Sequence, residues 1–152
     1  MPDKYFDRDE AEQLLPMIGE NLGKALEHKK TIEALDEDFA RAAARIMALG
    51  GSIPASGDLA KKRSKREESV SELEEAVGRI QETGCVIKDL DVGLIDFPSL
   101  RDGQEIYLCW KLGETHIDFY HGVNEGFAGR KPLDDESAPD AEDPPSGTPR
   151  VN

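Results

Sequence analysis

The spacing of apolar residues changes character once along this chain, at Gly84, and that change dictates helices first and strands afterwards. Ahead of it, Leu14, Ile18, Leu22, Ala25, Ile32, Leu35, Phe39, Ala42, Ile46 and Leu49 recur mainly at spacings of three and four among charged residues. This period predicts one long amphipathic helix from Asp7 to Leu49. Asp7 or Asp9 is placed to cap its start, and Gly50-Gly51 to close its end in the left-handed conformation that glycine adopts easily. Pro16 removes a backbone donor, which predicts a kink or, alternatively, a break leaving a short first helix.

Gly51, Pro54 and Gly57 then mark a linker, followed by a second helix capped by Ser56 or Asp58. Its stripe of Leu59, Arg63, Arg66, Val70, Leu73, Val77 and Ile80 alternates spacings of four and three, a heptad-like, coiled-coil pattern. Two helices of about 40 and 26 residues with a short connection predict an antiparallel hairpin. Such an arm is longer than the rest of a small domain can cover. Its distal half is therefore expected to pack against another copy, making a homodimer.

After Gly84 the pattern alternates, and four short strands are predicted at Cys85–Leu90, Leu94–Phe97, Gln104–Lys111 and Thr115–Tyr120. Turns fall at Asp91-Val92-Gly93, Pro98 to Gly103 and Leu112-Gly113-Glu114. The expected fold class is α+β: a long antiparallel helical hairpin followed by a small four-stranded antiparallel meander. Strict alternation places Ile106, Leu108 and Trp110 opposite Cys109, and Ile117, Phe119 and His121 opposite His116, Asp118 and Tyr120. The faces carrying Trp110 and Phe119 are expected to receive the helices. Residues 1–133 read as one domain, with 5–83 the hairpin and 84–130 the sheet and its loop. The acidic, proline-rich stretch 134–152 has no aromatic residue and reads as a disordered tail.

Charge narrows the partners. The 152 residues include 32 acidic and 19 basic side chains, a formal charge of −13. That balance opposes nucleic acid and anionic membrane surfaces, both of which are bound through cations. Neutral or cationic ligands, metals and other proteins remain. No apolar run approaches the roughly 20 residues of a membrane helix, and the acidic N-terminus lacks a signal core, so a soluble cytoplasmic protein is expected. Cys85 and Cys109 form no CxxC pair, and a reducing compartment argues against a disulfide.

Several motifs then come together: EAEQLLP near the N-terminus, GCVIKDLDVGLIDFPS, YLCWKLGE and FYHGVNEGFAGR. In order and spacing they resemble the bacterial domain-of-unknown-function family 2203, over about residues 5 to 133. The resemblance implies domain limits and no reaction. One departure is Phe119-Tyr120-His121, where the family often has Trp before the histidine and Tyr120 keeps an aromatic.

The chemistry-bearing side chains crowd into the segment after Gly84: Cys85, Lys88, Asp89, Asp91, Asp96, Cys109, Glu114, His116, His121 and Arg130. A divalent transition metal needs three or four converging N, O or S donors, and Glu114, His116 and His121 with Asp89 or Asp96 are the candidate ligands. Against this, His121 lies five residues from His116 and points to the opposite strand face unless the strand bends or ends between them. The alternative is structural: one exposed histidine and one hydrogen-bonded at a strand end, with Asp89 or Asp96 paired to Lys88 or Arg130. His28 reads as solvated. The cysteines read as small core residues, and a nucleophilic role for either with His121 would require a depressed thiol pKa in an open site. The acids Asp89, Asp91 and Asp96 lack the register of a calcium loop. The leading expectation is a self-associating interaction module. A metal-binding protein or small metalloenzyme is the alternative, and cysteine catalysis ranks third.

Overall fold

The structure, a computed structural model, describes residues 4–51 and 57–134. Ser56, Pro54 and the tail beyond Asp134 lie outside the described residues. Helix α1 spans Arg8–Ala48 and α2 spans Asp58–Glu82. Five strands follow: β1 (Val86–Asp89), β2 (Leu94–Arg101), β3 (Gln104–Lys111), β4 (Phe119–Gly122) and β5 (Lys131–Pro132), with a short 3-10 turn at Phe127–Gly129. The strands pair antiparallel in chain order, so the α+β hairpin-and-meander class holds with one strand more than expected. The chain divides into two compact units, one running up to Gly19 and resuming at Ile80, the other being Glu20–Arg79.

Helix α1 opens with a reciprocal cap. The Glu10 backbone N–H donates to Asp7 Oδ1 at 2.8 Å, and the Asp7 N–H donates to Glu10 Oε1 at 3.0 Å. The helix continues through Pro16 without a break. Leu15 and Ile18 on either side of it are buried, and that packing outweighs one missing backbone bond. At the other end Gly51 N–H reaches Ile46 O at 2.8 Å, with Gly50 and Gly51 both at positive φ, the closure expected of this dipeptide.

In the first unit, Ile95, Phe97 and Ser99 of β2 and Ile106, Leu108 and Trp110 of β3 form one buried face. Phe6 sets its ring edge-on to Phe97 at 5.3 Å. The Phe6 N–H donates to Pro98 O at 2.7 Å, and Ser99 Oγ donates to Phe6 O at 2.6 Å. These bonds explain why β2 runs on to Arg101 when a turn was expected from Pro98. The Pro98 carbonyl is bonded to Phe6, and the N–H that proline lacks would point the same way, off the β2–β3 ladder. The reversal is instead Asp102-Gly103, with φ of 53° and 79°, the two-residue hairpin geometry that matches strand twist.

The fourth strand also starts later than alternation predicts. Residues between Glu114 and Asp118 form a loop, held where the Ile117 N–H donates to Glu12 Oε2 at 2.8 Å and Trp110 Nε1 donates to Glu114 O at 2.9 Å. That loop sets where β4 enters the sheet. In the actual register Cys109 pairs with Phe119 and Tyr107 with His121. Phe119 and His121 therefore share the face of Cys109 and lie opposite Trp110, which corrects the expected pairing of the Trp110 and Phe119 faces.

Within Glu20–Arg79 the two helices run antiparallel, tied by Arg79 Nη1 to Asn21 Oδ1 (3.2 Å), His28 Nε2 to Glu72 Oε1 (3.3 Å), Arg66 Nε to Asp36 Oδ1 (2.7 Å) and Lys62 Nζ to Asp38 Oδ2 (3.3 Å). His28, expected to be solvated, is half-buried in this ladder. Hydrogen bonds from Arg66 and from Lys62 hold the Asp36 and Asp38 carboxyls below the ordinary aspartate range.

Two measurements follow. A lowered folded value means that the stabilisation from Asp36 and Asp38 is present above the ordinary aspartate pKa and is lost as pH falls through the lowered values. Acid titration followed by far-UV circular dichroism is expected to show a loss of helix stability in that window, which the double substitution Asp36→Asn with Asp38→Asn flattens. Gly93 has φ of 71°, and a Cβ there would sit 2.6 Å from the Leu112 Cβ, whereas nothing lies within 4 Å of one at Gly103. Gly93→Ala is expected to cost about 3 kcal/mol in denaturant unfolding and Gly103→Ala about 1 kcal/mol.

Candidate functional site

The sheet face turned away from Trp110 carries a polar cluster. Asp96 on β2 pairs directly with Cys109 on β3, and His121 on β4 lies one row along, beside Tyr107. Asp96 and His121 are separated by the whole of β3. They meet across β3, where Cys109 stands opposite Asp96 and Tyr107 opposite His121. His121 Nε2 lies 3.1 Å from both carboxylate oxygens of Asp96. Relative exposure is 0 % for Asp96 and Cys109 and 2 % for His121, so water cannot satisfy these groups.

The second ring nitrogen fixes the chemistry of the first. His121 Nδ1 lies 2.9 Å from Gly122 O, a carbonyl that only accepts, so Nδ1 carries the hydrogen. Nε2 then faces the carboxylate as a lone pair or as a second N–H. Burial raises the Asp96 carboxyl above its ordinary range, opposed by its hydrogen bond with His121. Burial, reinforced by the charge of Asp96, pushes the Cys109 thiol up to about 11. The Cys109 thiol keeps its proton and hydrogen-bonds to Asp96, so the carboxylate is faced by both the thiol and the imidazole.

Arg130 closes the rim. Its Nη2 donates to Cys109 O at 3.2 Å and to Glu114 Oε1 at 2.9 Å, while its guanidinium lies 4.2 Å from the Phe119 ring centre and 4.6 Å from that of Phe127. Glu114 Oε1 also accepts the Lys111 N–H at 2.9 Å. Glu125 Oε1 accepts from the Gly122 N–H and Lys131 Nζ, each at 2.7 Å, which pins the loop that carries the Gly122 carbonyl. Gly129 packs on Glu125, 3.1 Å from where a Cβ would reach its side chain.

Of the five expected metal ligands, the structure brings Asp96 and His121 together. Glu114 is engaged with Arg130 and Lys111, and Asp89 Oδ1 caps a turn by accepting from the Asp91 N–H at 3.0 Å. His116 is exposed, with Nδ1 3.7 Å from Glu12 Oε2. The structural pairing expected for Arg130 goes to Glu114, and that for Asp96 goes to His121. Cys109, read as a core residue, completes the cluster: Asp96, Cys109 and His121 offer donor atoms that all lie within 4.8 Å of one another. What the sequence does not carry is the inter-strand register, which sets His121 opposite Tyr107 and Asp96 opposite Cys109 on one face. Both cysteines are free and buried. Cys85 packs its Sγ 3.3 Å from Ile80 O, and desolvation raises its pKa as well, so neither thiol has the open, thiolate-favouring setting of a nucleophile.

A helical hairpin unit and a five-stranded antiparallel sheet with a buried carboxylate, thiol and imidazole define an α+β protein of a particular kind. The chain matches the family described as "Uncharacterized conserved protein (DUF2203)" over residues 4–133, and it belongs to that family. No curated protein and no solved structure matches it.

Asp96→Ala and His121→Ala are each expected to cost about 3–5 kcal/mol in denaturant unfolding, because each strands a buried polar partner. The double variant should lose less than the sum, since it strands nothing further. Alkylation of Cys85 and Cys109 at neutral pH is expected to run at least about a hundred-fold slower in the folded chain than in denaturant. Equal rates would show that the thiols are accessible.

Proposed function

We propose that this protein is a self-associating interaction module in which the helical unit Glu20–Arg79 packs against the same unit of a second copy. The carrying observation is how little that unit buries by itself. Among its described residues, only Leu22, Ala25, Leu35 and Ala76 are buried apolar side chains. Ile32, Phe39, Ile46, Leu59, Val70 and Leu73 remain partly exposed along the two stripes, and Met47 is 80 % exposed.

The physical reason is that two helices cover only one flank of each other. An apolar stripe a hundred degrees wide needs neighbours on both flanks, and two hairpins packed together supply them as a four-helix bundle. A groove of about 190 Å³ between α1 and α2, lined by Ala42, Ile46 and Leu59 and edged by Arg41, Arg45 and Lys62, supports insertion of a partner's side chains at this end. The polar ladder along the hairpin favours the antiparallel pairing within one copy and leaves the apolar flank for the second.

Sedimentation equilibrium on the full chain across micromolar concentrations is expected to give a dimer. Phe39→Glu combined with Leu73→Glu is expected to give a monomer whose near-UV dichroism from Trp110 is unchanged. A wild-type monomer throughout that range would overturn the proposal.

A further inference from the structure

The sheet face offers a second, independent property, since its three donors belong to one copy of the chain and come from three adjacent strands. Asp96 supplies oxygen, Cys109 sulfur and His121 nitrogen, all buried and all within 4.8 Å of one another. In a tetrahedral zinc site with bonds of about 2.0–2.3 Å, ligand atoms stand roughly 3.3–3.8 Å apart. The 3.1 Å between His121 Nε2 and each Asp96 oxygen therefore needs only a few tenths of an ångström of opening to admit an ion.

Two further features match what such an ion demands. Metal-bound histidines commonly donate their other ring N–H to a carbonyl or carboxylate, which fixes the tautomer and aims the free lone pair at the metal. His121 Nδ1 does this with Gly122 O at 2.9 Å, and the Gly122 backbone is in turn held by Glu125. Charge gives the second match. A carboxylate and a thiolate carry two negative charges, which cancel a divalent cation and leave a neutral centre, the least costly form to bury. Arg130 beside Cys109 adds positive charge at the rim, and Glu114 at 2.9 Å offsets it.

We propose that Asp96, Cys109 and His121 form a binding site for a divalent transition metal of the zinc class. The donor set selects among ions. Calcium and magnesium require six or more oxygens, which this face does not provide, whereas a thiolate, an imidazole and a carboxylate suit zinc and its spectroscopic substitute cobalt. Three protein donors leave one tetrahedral position not filled by the chain. Glu114 acts one step removed, holding Arg130, and His116 takes no part.

The test uses the tag-free full chain stripped with a chelator and titrated with Zn²⁺ and, separately, Co²⁺. One equivalent of each should bind. The cobalt form should show the intense visible bands of tetrahedral coordination and a near-ultraviolet thiolate charge-transfer band. Cys109→Ser should abolish the charge-transfer band, His121→Asn should weaken binding at least about a hundred-fold, and His116→Asn should bind as wild type. Near-UV dichroism of Trp110 confirms that each variant is folded. Should a variant fail to fold, protection of Cys109 from alkylation by one equivalent of Zn²⁺ in Cys85→Ala decides instead. The proposal is overturned by absence of stoichiometric binding, or by an octahedral cobalt spectrum insensitive to Cys109→Ser, which would report surface carboxylates. Loss of the metal in folded His116→Asn would overturn it too.

Discussion

The β2–β3 ladder is the constraint on which the sheet unit depends. Eight consecutive pairs, from Leu94 with Lys111 to Arg101 with Gln104, are closed by the Asp102-Gly103 turn, whose two positive φ values admit one register. A slip of one residue would exchange the faces. Were β2 the strand to slip, Asp96 would enter the layer of Leu108 and Trp110, away from the His121 imidazole. The same ladder presents the Pro98 carbonyl to Phe6, so the entry to α1 and the polar cluster are both set by one hairpin.

The two faces of that sheet follow different physics. The Trp110 face is apolar, and its burial is driven by removal of hydrocarbon from water. The Cys109 face is closed by cations and aromatic rings: Arg130 lies over Phe119 and Phe127 while tied to Glu114, and beneath it the carboxylate, thiol and imidazole are sealed from solvent. Burial of such groups is costly unless each finds a partner, and here the partners come from separate strands. The helical unit reverses this balance. Its charged ladder aligns the two helices, while much of its apolar stripe stays partly exposed.

A good part of this was legible along the chain. The helical period up to Gly84, the Gly50-Gly51 stop, the Asp7 cap and the alternation in β3 are local, because each depends on backbone preferences or on a repeat read within a few turns. The candidate site was only half legible. Asp96 and His121 stood among the expected ligands, but Cys109 did not, and Glu114 and His116 were placed with them. Trp110 Nε1 and Glu12 capture Glu114 O and the Ile117 N–H and make the stretch with His116 a loop, and only the register across β3 sets Asp96 and His121 beside Cys109.

By itself the sequence determined the element types, their order, the α+β class and family membership, since hydrophobic period, caps and glycine stops are properties of neighbours in the chain. Only the tertiary structure decided that Pro98 lies within a strand, that a fifth strand forms, and that His121 reaches Asp96 across β3. Those outcomes depend on hydrogen bonds and register between segments as far apart as Phe6 and Pro98 or Asp96 and His121, and no periodicity along the chain encodes which residue will stand opposite which.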